Sequence, residues 1–159
     1  MKFLEFVSVS EILGRSLLGH YAFNCQAPDI GNIELILRFG DDKQKIKFLE
    51  PLMSGEIRSC VGMVEPERPG SNPSWLETSA VKDNGYYVIN GRKWFTSSAD
   101  GATFCVLMAV TNPEAENKYK RASMIIVPLD IKGVEIKRNI SVMGEKAVSY
   151  THLTLPTKA

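Results

Sequence analysis

Histidine, cysteine and long apolar runs are all scarce in this chain, and each scarcity argues against a class of function. Of 159 residues, two are His and three are Cys. Cys25, Cys60 and Cys105 are far apart, odd in number and lack metal-ligand spacing, so they read as reduced, mostly buried thiols. Reduced thiols favour a cytoplasmic location. His20 falls at a predicted helix end beside Gly19, and a lone His lacks the partner geometry that catalysis requires. No apolar run reaches the ~20 residues of a membrane span, and Met1–Val7 lacks the form of a secretory signal. Neither Gly-x-Gly-x-x-Gly nor a P-loop string occurs, which argues against a Rossmann or nucleoside-triphosphatase site. The net charge of +1 gives no reason to expect nucleic acid or an anionic membrane, and the basic run Lys118–Arg121 reads as a solvated hairpin tip.

What is present is an ordinary globular balance, 44% hydrophobic and 23% charged, in a length that fits one average domain or two small ones. The first third carries helical periodicity. Ser8 and Glu11 have capping-box spacing ahead of Ile12, Leu13, Leu17 and Tyr21. Pro28 and Asp29 open a second helix with Ile30, Ile33, Ile36 and Leu37 on its buried side, ended by Gly40. Asp41 caps a third, with Gln44 three residues on, Ile46 and Leu49 facing inward, and Pro51 and Gly55 closing it. Three short helices bury little surface, so they are expected to dock on the rest of the chain or on a partner.

From about Arg58 the period becomes two. Strands are predicted over residues 59–64, 76–82, 86–90, 92–98, 104–110, 122–127 and 133–138, with Asn84-Gly85 and Asn90-Gly91 as hairpin signals. Helices followed by strands imply an α+β chain of segregated layers or domains, not alternating βαβ units.

The densest chemistry lies in Arg92–Asp100, RKWFTSSAD. Strand alternation would put Trp94, Thr96 and Ser98 on one face and Lys93, Phe95 and Ser97 on the other. An indole beside a hydroxyl suits a planar heteroaromatic ligand, although Trp and Thr are also favoured in strands for packing. Upstream, Ser59–Ser71, SCVGMVEPERPGS, is an apolar strand entering a Pro-punctuated loop. Gly70 would permit close backbone approach there, and Ser71 supplies a hydroxyl. Glu65 has the look of a general base, but its strand-to-loop junction before Pro66 favours a structural role.

In this order and spacing the two segments resemble the flavin-binding signatures of the acyl-CoA dehydrogenase family. Met63–Asn72 is similar to the first, an apolar strand, Thr-Glu-Pro and a loop closed by Gly-Ser-Asp, with Val64 for Thr and Asn72 for Asp. Asn90–Thr96 is similar to the second, Asn-Gly-x-Lys-x-Trp-Ile-Thr, with Phe95 for Ile. Gly40–Gly55 resembles the family's Gly-x-x-x-Gln-Lys helix, and Cys25–Asn32 resembles a subgroup of larger members. The resemblance covers roughly residues 3–146.

It implies part of an N-terminal helical domain over 1–57 and an antiparallel β-barrel-like middle domain over 58–146. It further implies FAD-dependent α,β-dehydrogenation of acyl-CoA thioesters, as in fatty acid β-oxidation. Val61, Met63, Val64, Gly70, Ser71, Trp94, Phe95 and Thr96 would line FAD, with Ser71 also touching substrate. Expected partners are acyl-CoA, an electron-transfer flavoprotein or similar acceptor, and further copies of the chain. No catalytic residue and no metal site are expected in these residues, because the family's carboxylate base comes from a C-terminal helical domain; the chain is therefore expected to be a fragment, inactive by itself. The rival readings are a non-enzymatic β-barrel module anchored by Trp75 and Trp94, and a flavin oxidase or nitroalkane-type relative on the same scaffold.

Val148–Thr157, VSYTHLTLPT, is the translation of GTCTCTTATACACATCTGACGCTGCCGACG, a string similar to a sequencing transposase adapter. Residues 147–159 are therefore expected to be a non-native tail, and Tyr150 and His152 are set aside from functional argument.

Val64 stands where the resemblance calls for a hydroxyl donor to the flavin. Val64→Thr in the full-length protein is expected to shift the flavin reduction potential, measured by dye-coupled titration. An unchanged potential would mean that this side chain points elsewhere.

Overall fold

The computed structural model describes residues 3–70, 72–141, 151–154 and 157–158, and side chains for 4–70 and 72–141. Ser71 and Val148–Tyr150 lie outside the described residues. The chain divides into two compact units, Met1–Glu56 and Ile57–Ala159.

The first unit is helical. It comprises α1 (Phe3–Leu13), α2 (Gly19–Ala22), α3 (Asp29–Phe39) and a run made of α4 (Asp42–Gln44), a π-helical turn (Lys45–Leu49) and α5 (Glu50–Ser54). Ser8 does not cap a helix start: it lies inside α1, and its hydroxyl donates back to the Leu4 carbonyl at 3.5 Å. The helical spacing expected from Ile12 to Tyr21 is broken by turns between Leu13 and Gly19, so Ile12, Leu17 and Tyr21 are all exposed.

In α3 the buried stripe is Asp29, Asn32 and Ile36, and Leu37 faces outward. Asp29 sits in the first turn, where a carboxylate suits the helix dipole, and accepts from Gln26 Nε2 at 2.8 Å. Gly40 ends the helix as expected. Asp41 and Gln44 form the full reciprocal capping box at 2.8 and 3.0 Å. The π-helical turn that follows resets the helical phase. Phe48, Leu49 and Leu52 are thereby buried, while Ile46, expected inside, is 65% exposed. Gly55 stops the run at φ 79°, and Asn24 Nδ2 donates to the Leu52 carbonyl at 2.6 Å, satisfying one orphan of the helix end.

The second unit contains two sheets. One joins β1 (Ser59–Gly62), β2 (Ser79–Asp83), β3 (Tyr86–Asn90), β5 (Phe104–Val110), β6 (Ala122–Pro128) and β9 (Thr157–Lys158); the other runs β4 (Arg92–Thr96), β8 (Thr151–Thr154), β7 (Glu135–Asn139). The wholly apolar β5, FCVLMAV, is the centre of the first sheet. β6 pairs antiparallel along all of it, from Phe104↔Pro128 to Val110↔Ala122. The other edge of β5 is shared. β1 lies parallel to its first half, ending at Gly62↔Leu107, and β2 meets it only at Ser79↔Val110. The intervening residues 63–78 leave the sheet through that gap.

Asn84 and Gly85, at φ 47° and 87°, make the expected two-residue β2–β3 turn. Asn90-Gly91 does not make a hairpin. β3 pairs with β2 and β9, whereas β4 pairs with β8, so Gly91 is the corner where the chain changes sheets. A side chain on Gly91 would run into the hydroxyl and methyl of Thr78. The order of helices then sheet is as expected, but the sheet does not close into a barrel, and two of the pairings to β5 are parallel.

Cys60, Ala80, Ile89, Ala99, Cys105, Leu107, Ala109 and Val127 form the core of this unit. Cys60 and Cys105 are register partners, and neither of them nor half-buried Cys25 forms a disulfide. No helix among the described residues is long and apolar enough to cross a membrane.

Gly91→Ala is expected to cost about 1–3 kcal/mol, because the neighbouring strand corner must move. Gly31→Ala, at an exposed position in the first turn of α3 with nothing within 4 Å of the added carbon, is expected to gain about 0.4–1 kcal/mol. Urea titration followed by circular dichroism should separate the two midpoints in opposite directions.

Candidate functional site

Where the chain leaves β1 it is held by β4. The Val64 carbonyl accepts from the Trp94 amide at 3.1 Å, and the Met63 carbonyl accepts from Lys93 Nζ at 3.0 Å. Lys93 Nζ also donates to Glu65 Oε1 at 2.8 Å. The Glu65 carboxylate further accepts from the amides of Glu77 at 2.7 Å and Thr78 at 2.9 Å. Lys93 is 0% and Glu65 4% exposed, and buried charges persist only when paired and hydrogen-bonded. The Lys93 stem lies against Gly62, where an added Cβ would stand 3.3 Å from its Cγ and 2.9 Å from Leu107 Cδ1.

Burial pulls the Lys93 pKa down, opposed by its hydrogen bond and charge attraction to Glu65 and by the Cys105 thiol. With three donors on its buried carboxylate, Glu65 is engaged as a structural anchor. Half-exposed ion pairs, Arg92 with Glu67 and Arg68 with Glu77, rim the junction. Each adds little alone, since water screens it. Between them lies a cavity of about 160 Å³ walled by Glu65, Glu67, Glu77, Thr78, Gly91 and Arg92.

β4 does not alternate as simple strand geometry expects. Against β8, which lies within the tail read above as non-native, Lys93 pairs with Leu153 and Thr96 with Thr151, so β4 carries one residue more than β8 between these points, a β-bulge. Phe95 takes φ 49°, a left-handed conformation that is costly for a bulky residue. The bulge changes the phase, and Lys93 and Thr96, expected on opposite faces, are both fully buried. The strand ends at Thr96, and Ser98 at φ 66° already opens the next turn, so Ser98 does not extend the Trp94 face.

Two polar atoms in this bulge stand out. Trp94 Nε1 and Thr96 Oγ1 are both buried without a hydrogen-bond partner. The Phe95 ring, 40% exposed, meets the Trp94 ring edge-on at 4.8 Å and 63°.

The other residues singled out in the sequence divide. Met63, Val64 and Trp94 are brought together by the bonds above. Gly70 comes back onto Val64, where an added Cβ would lie 2.7 Å from Val64 Cγ1. Val61 sits in β1 opposite Val106. Ser71 lies outside the described residues, Trp75 is exposed on the turn Pro73–Trp75, and His20 bonds Ser10 Oγ at 2.9 Å in the helical unit. Sequence reasoning missed Lys93 and Thr78. The available signal was a lysine set between Gly91 and Trp94 in a strand, with an unexplained glutamate 28 residues before it.

Glu65→Gln leaves an ammonium buried without its counter-charge and is expected to cost about 3–5 kcal/mol in urea unfolding at neutral pH. The pH dependence follows from Lys93. Its folded pKa lies below the 10.5 of the unfolded chain, so between those values the unfolded state binds more protons and the stability due to this group rises with pH. Lys93→Met should abolish that alkaline rise.

Comparison with known proteins accords with this geometry. The family described as "Acyl-CoA dehydrogenase, middle domain" matches residues 60–157. Acyl-CoA dehydrogenase family member 10 of Mus musculus is 41% identical over 143 residues, 89% of this chain but only 13% of that protein's length. A solved structure described as an acyl-CoA dehydrogenase from Mycobacterium abscessus superposes with a TM-score of 0.91 at 35% identity, covering 96% of this chain and 38% of that one. A glutaryl-CoA dehydrogenase from Mycobacterium smegmatis, solved in complex with FADH2, shares the fold at 24% identity and a TM-score of 0.69, over 80% of this chain and 31% of that one. With residues 60–157, most of its length, matched to the middle domain and a relative 41% identical over 89% of it, this chain belongs to the acyl-CoA dehydrogenase family.

Proposed function

We propose that this chain supplies the flavin-facing wall of an FAD-dependent acyl-CoA dehydrogenase, which oxidises the α,β carbon–carbon bond of an acyl-CoA thioester. One observation carries the reading: Trp94 Nε1 and Thr96 Oγ1, two residues apart in a bulged strand, are buried donors with no partner. Such an atom costs about 1–3 kcal/mol, and two in one bulge imply a ligand that accepts from them. The isoalloxazine of FAD fits this donor set, being planar for the Trp94–Phe95 edge and bearing ring nitrogens and carbonyls that accept. Family membership and the FADH2-bound neighbour support the choice. When bound, FAD supplies the hydride acceptor.

The chain's own residues bind and orient. Trp94 and Thr96 hold the ring, Phe95 adds wall, and the backbone of Val61, Met63 and Val64 runs along its edge. Gly70 and Ser71 close around cofactor and acyl-CoA. Hydrogen bonds preorganised at the ring also stabilise charge that develops there. The carboxylates at this junction are already engaged: Glu65 by Lys93, Glu67 by Arg92 and Glu77 by Arg68. The family resemblance assigns removal of the substrate α-proton to a carboxylate of a C-terminal helical domain. The chain by itself binds FAD weakly and does not turn over. In the complete enzyme, electrons pass to an electron-transfer flavoprotein or similar acceptor, and the working form is a cytoplasmic homo-oligomer.

Thr96→Val tests the reading because it separates folding from binding. Removing an unsatisfied hydroxyl should leave apo stability unchanged or raise it by about 1 kcal/mol, while FAD affinity, followed by flavin fluorescence, should fall about tenfold for the loss of roughly 1.4 kcal/mol. Lost stability with unaltered FAD titration would assign the hydroxyl to the fold instead.

A further inference from the structure

We propose that Lys93 and Glu65 are positioning residues for the flavin wall, setting the spacing between the strand end at Met63–Val64 and the bulge at Trp94–Thr96. This rests on the flavin reading above. The two segments belong to different parts of the unit: Met63 and Val64 follow β1 out of the large sheet, whereas Trp94 and Thr96 belong to the small one. Backbone pairing between them consists of a bond from the Trp94 amide to the Val64 carbonyl at 3.1 Å. A single such bond fixes a distance but leaves rotation about itself.

The second fixed point comes from the Lys93 ammonium, on the Met63 carbonyl at 3.0 Å and on Glu65 at 2.8 Å. Glu65 in turn is anchored to the amides of Glu77 and Thr78, just before β2. Lys93 immediately precedes Trp94, so a displacement of its ammonium is passed to the indole through one peptide unit. The bulge that follows has left-handed Phe95 at its centre, and such a conformation persists only where its surroundings over-determine it. The buried pair supplies that determination on the N-terminal side. A mere packing role would need only an apolar filler of similar volume at both positions.

The test compares three variants of the intact flavoprotein: Lys93→Met, Lys93→Arg and the double variant Glu65→Leu/Lys93→Met. Replacing a buried ion pair by apolar groups of similar volume often restores stability. The double variant is therefore expected to regain most of the urea midpoint lost by Lys93→Met. FAD affinity should nevertheless stay at least about tenfold weaker than wild type, with a shifted flavin reduction potential and an altered visible spectrum. Lys93→Arg, which keeps charge and donors, should recover part of the affinity. Where Lys93→Met alone fails to fold, the double variant and Lys93→Arg carry the comparison.

A double variant with wild-type FAD affinity, potential and spectrum would overturn the positioning role and leave the flavin reading standing. A folded full-length wild-type protein that takes up no FAD on titration would overturn the flavin reading and this inference with it.

Discussion

The buried contact between the Lys93 ammonium and the Glu65 carboxylate is the constraint on which the second unit depends. It lies where three stretches of chain meet: the exit from β1, the entry to β2 and the start of β4. None of these stretches is joined to the other two by a continuous ladder. Hydrophobic burial alone is non-directional and would tolerate several arrangements of short segments around β5. A charged group with fixed donor directions does not, since any other arrangement strands a charge away from water.

The geometry around that pair explains why small residues recur beside it. Gly62 leaves room for the Lys93 stem, Gly91 for Thr78, and Gly70 for the methyls of Val64. In each case the missing side chain lets backbone approach a neighbour at the edge of the proposed flavin wall. The cost of such openness is met by the fully apolar β5 and its long pairing with β6, which carry none of the residues proposed for the flavin wall. Rigidity and chemistry are thus assigned to different strands of the same unit.

Much of this was legible in the sequence, and the failures have physical causes. The capping box at Asp41, the turn at Asn84-Gly85 and the strands Tyr86–Asn90 and Phe104–Val110 depend on local rules and were read correctly. Asn90-Gly91 obeys the same local rule as Asn84-Gly85 but serves as a corner, because Thr78 is pressed against Gly91 by contacts distant in sequence. Ile46 was misplaced because a π-helical turn shifts the phase without a mark in composition. Lys93 and Thr96 were placed on opposite faces by a perfect period of two, which the bulge at Phe95 removes. The pairing of Lys93 with Glu65 was invisible to any window shorter than the 28 residues that separate them.

The shared edge of β5 has an evolutionary corollary. Because β1 and β2 are each moored to the same strand, at Leu107 and at Val110, the excursion between them begins and ends at points that do not depend on its own length. Residues could be gained or lost between Arg68 and Trp75 while the moorings, and the lysine-glutamate clasp at their base, keep their places. A family built on this plan can vary that excursion without redesigning the scaffold beneath.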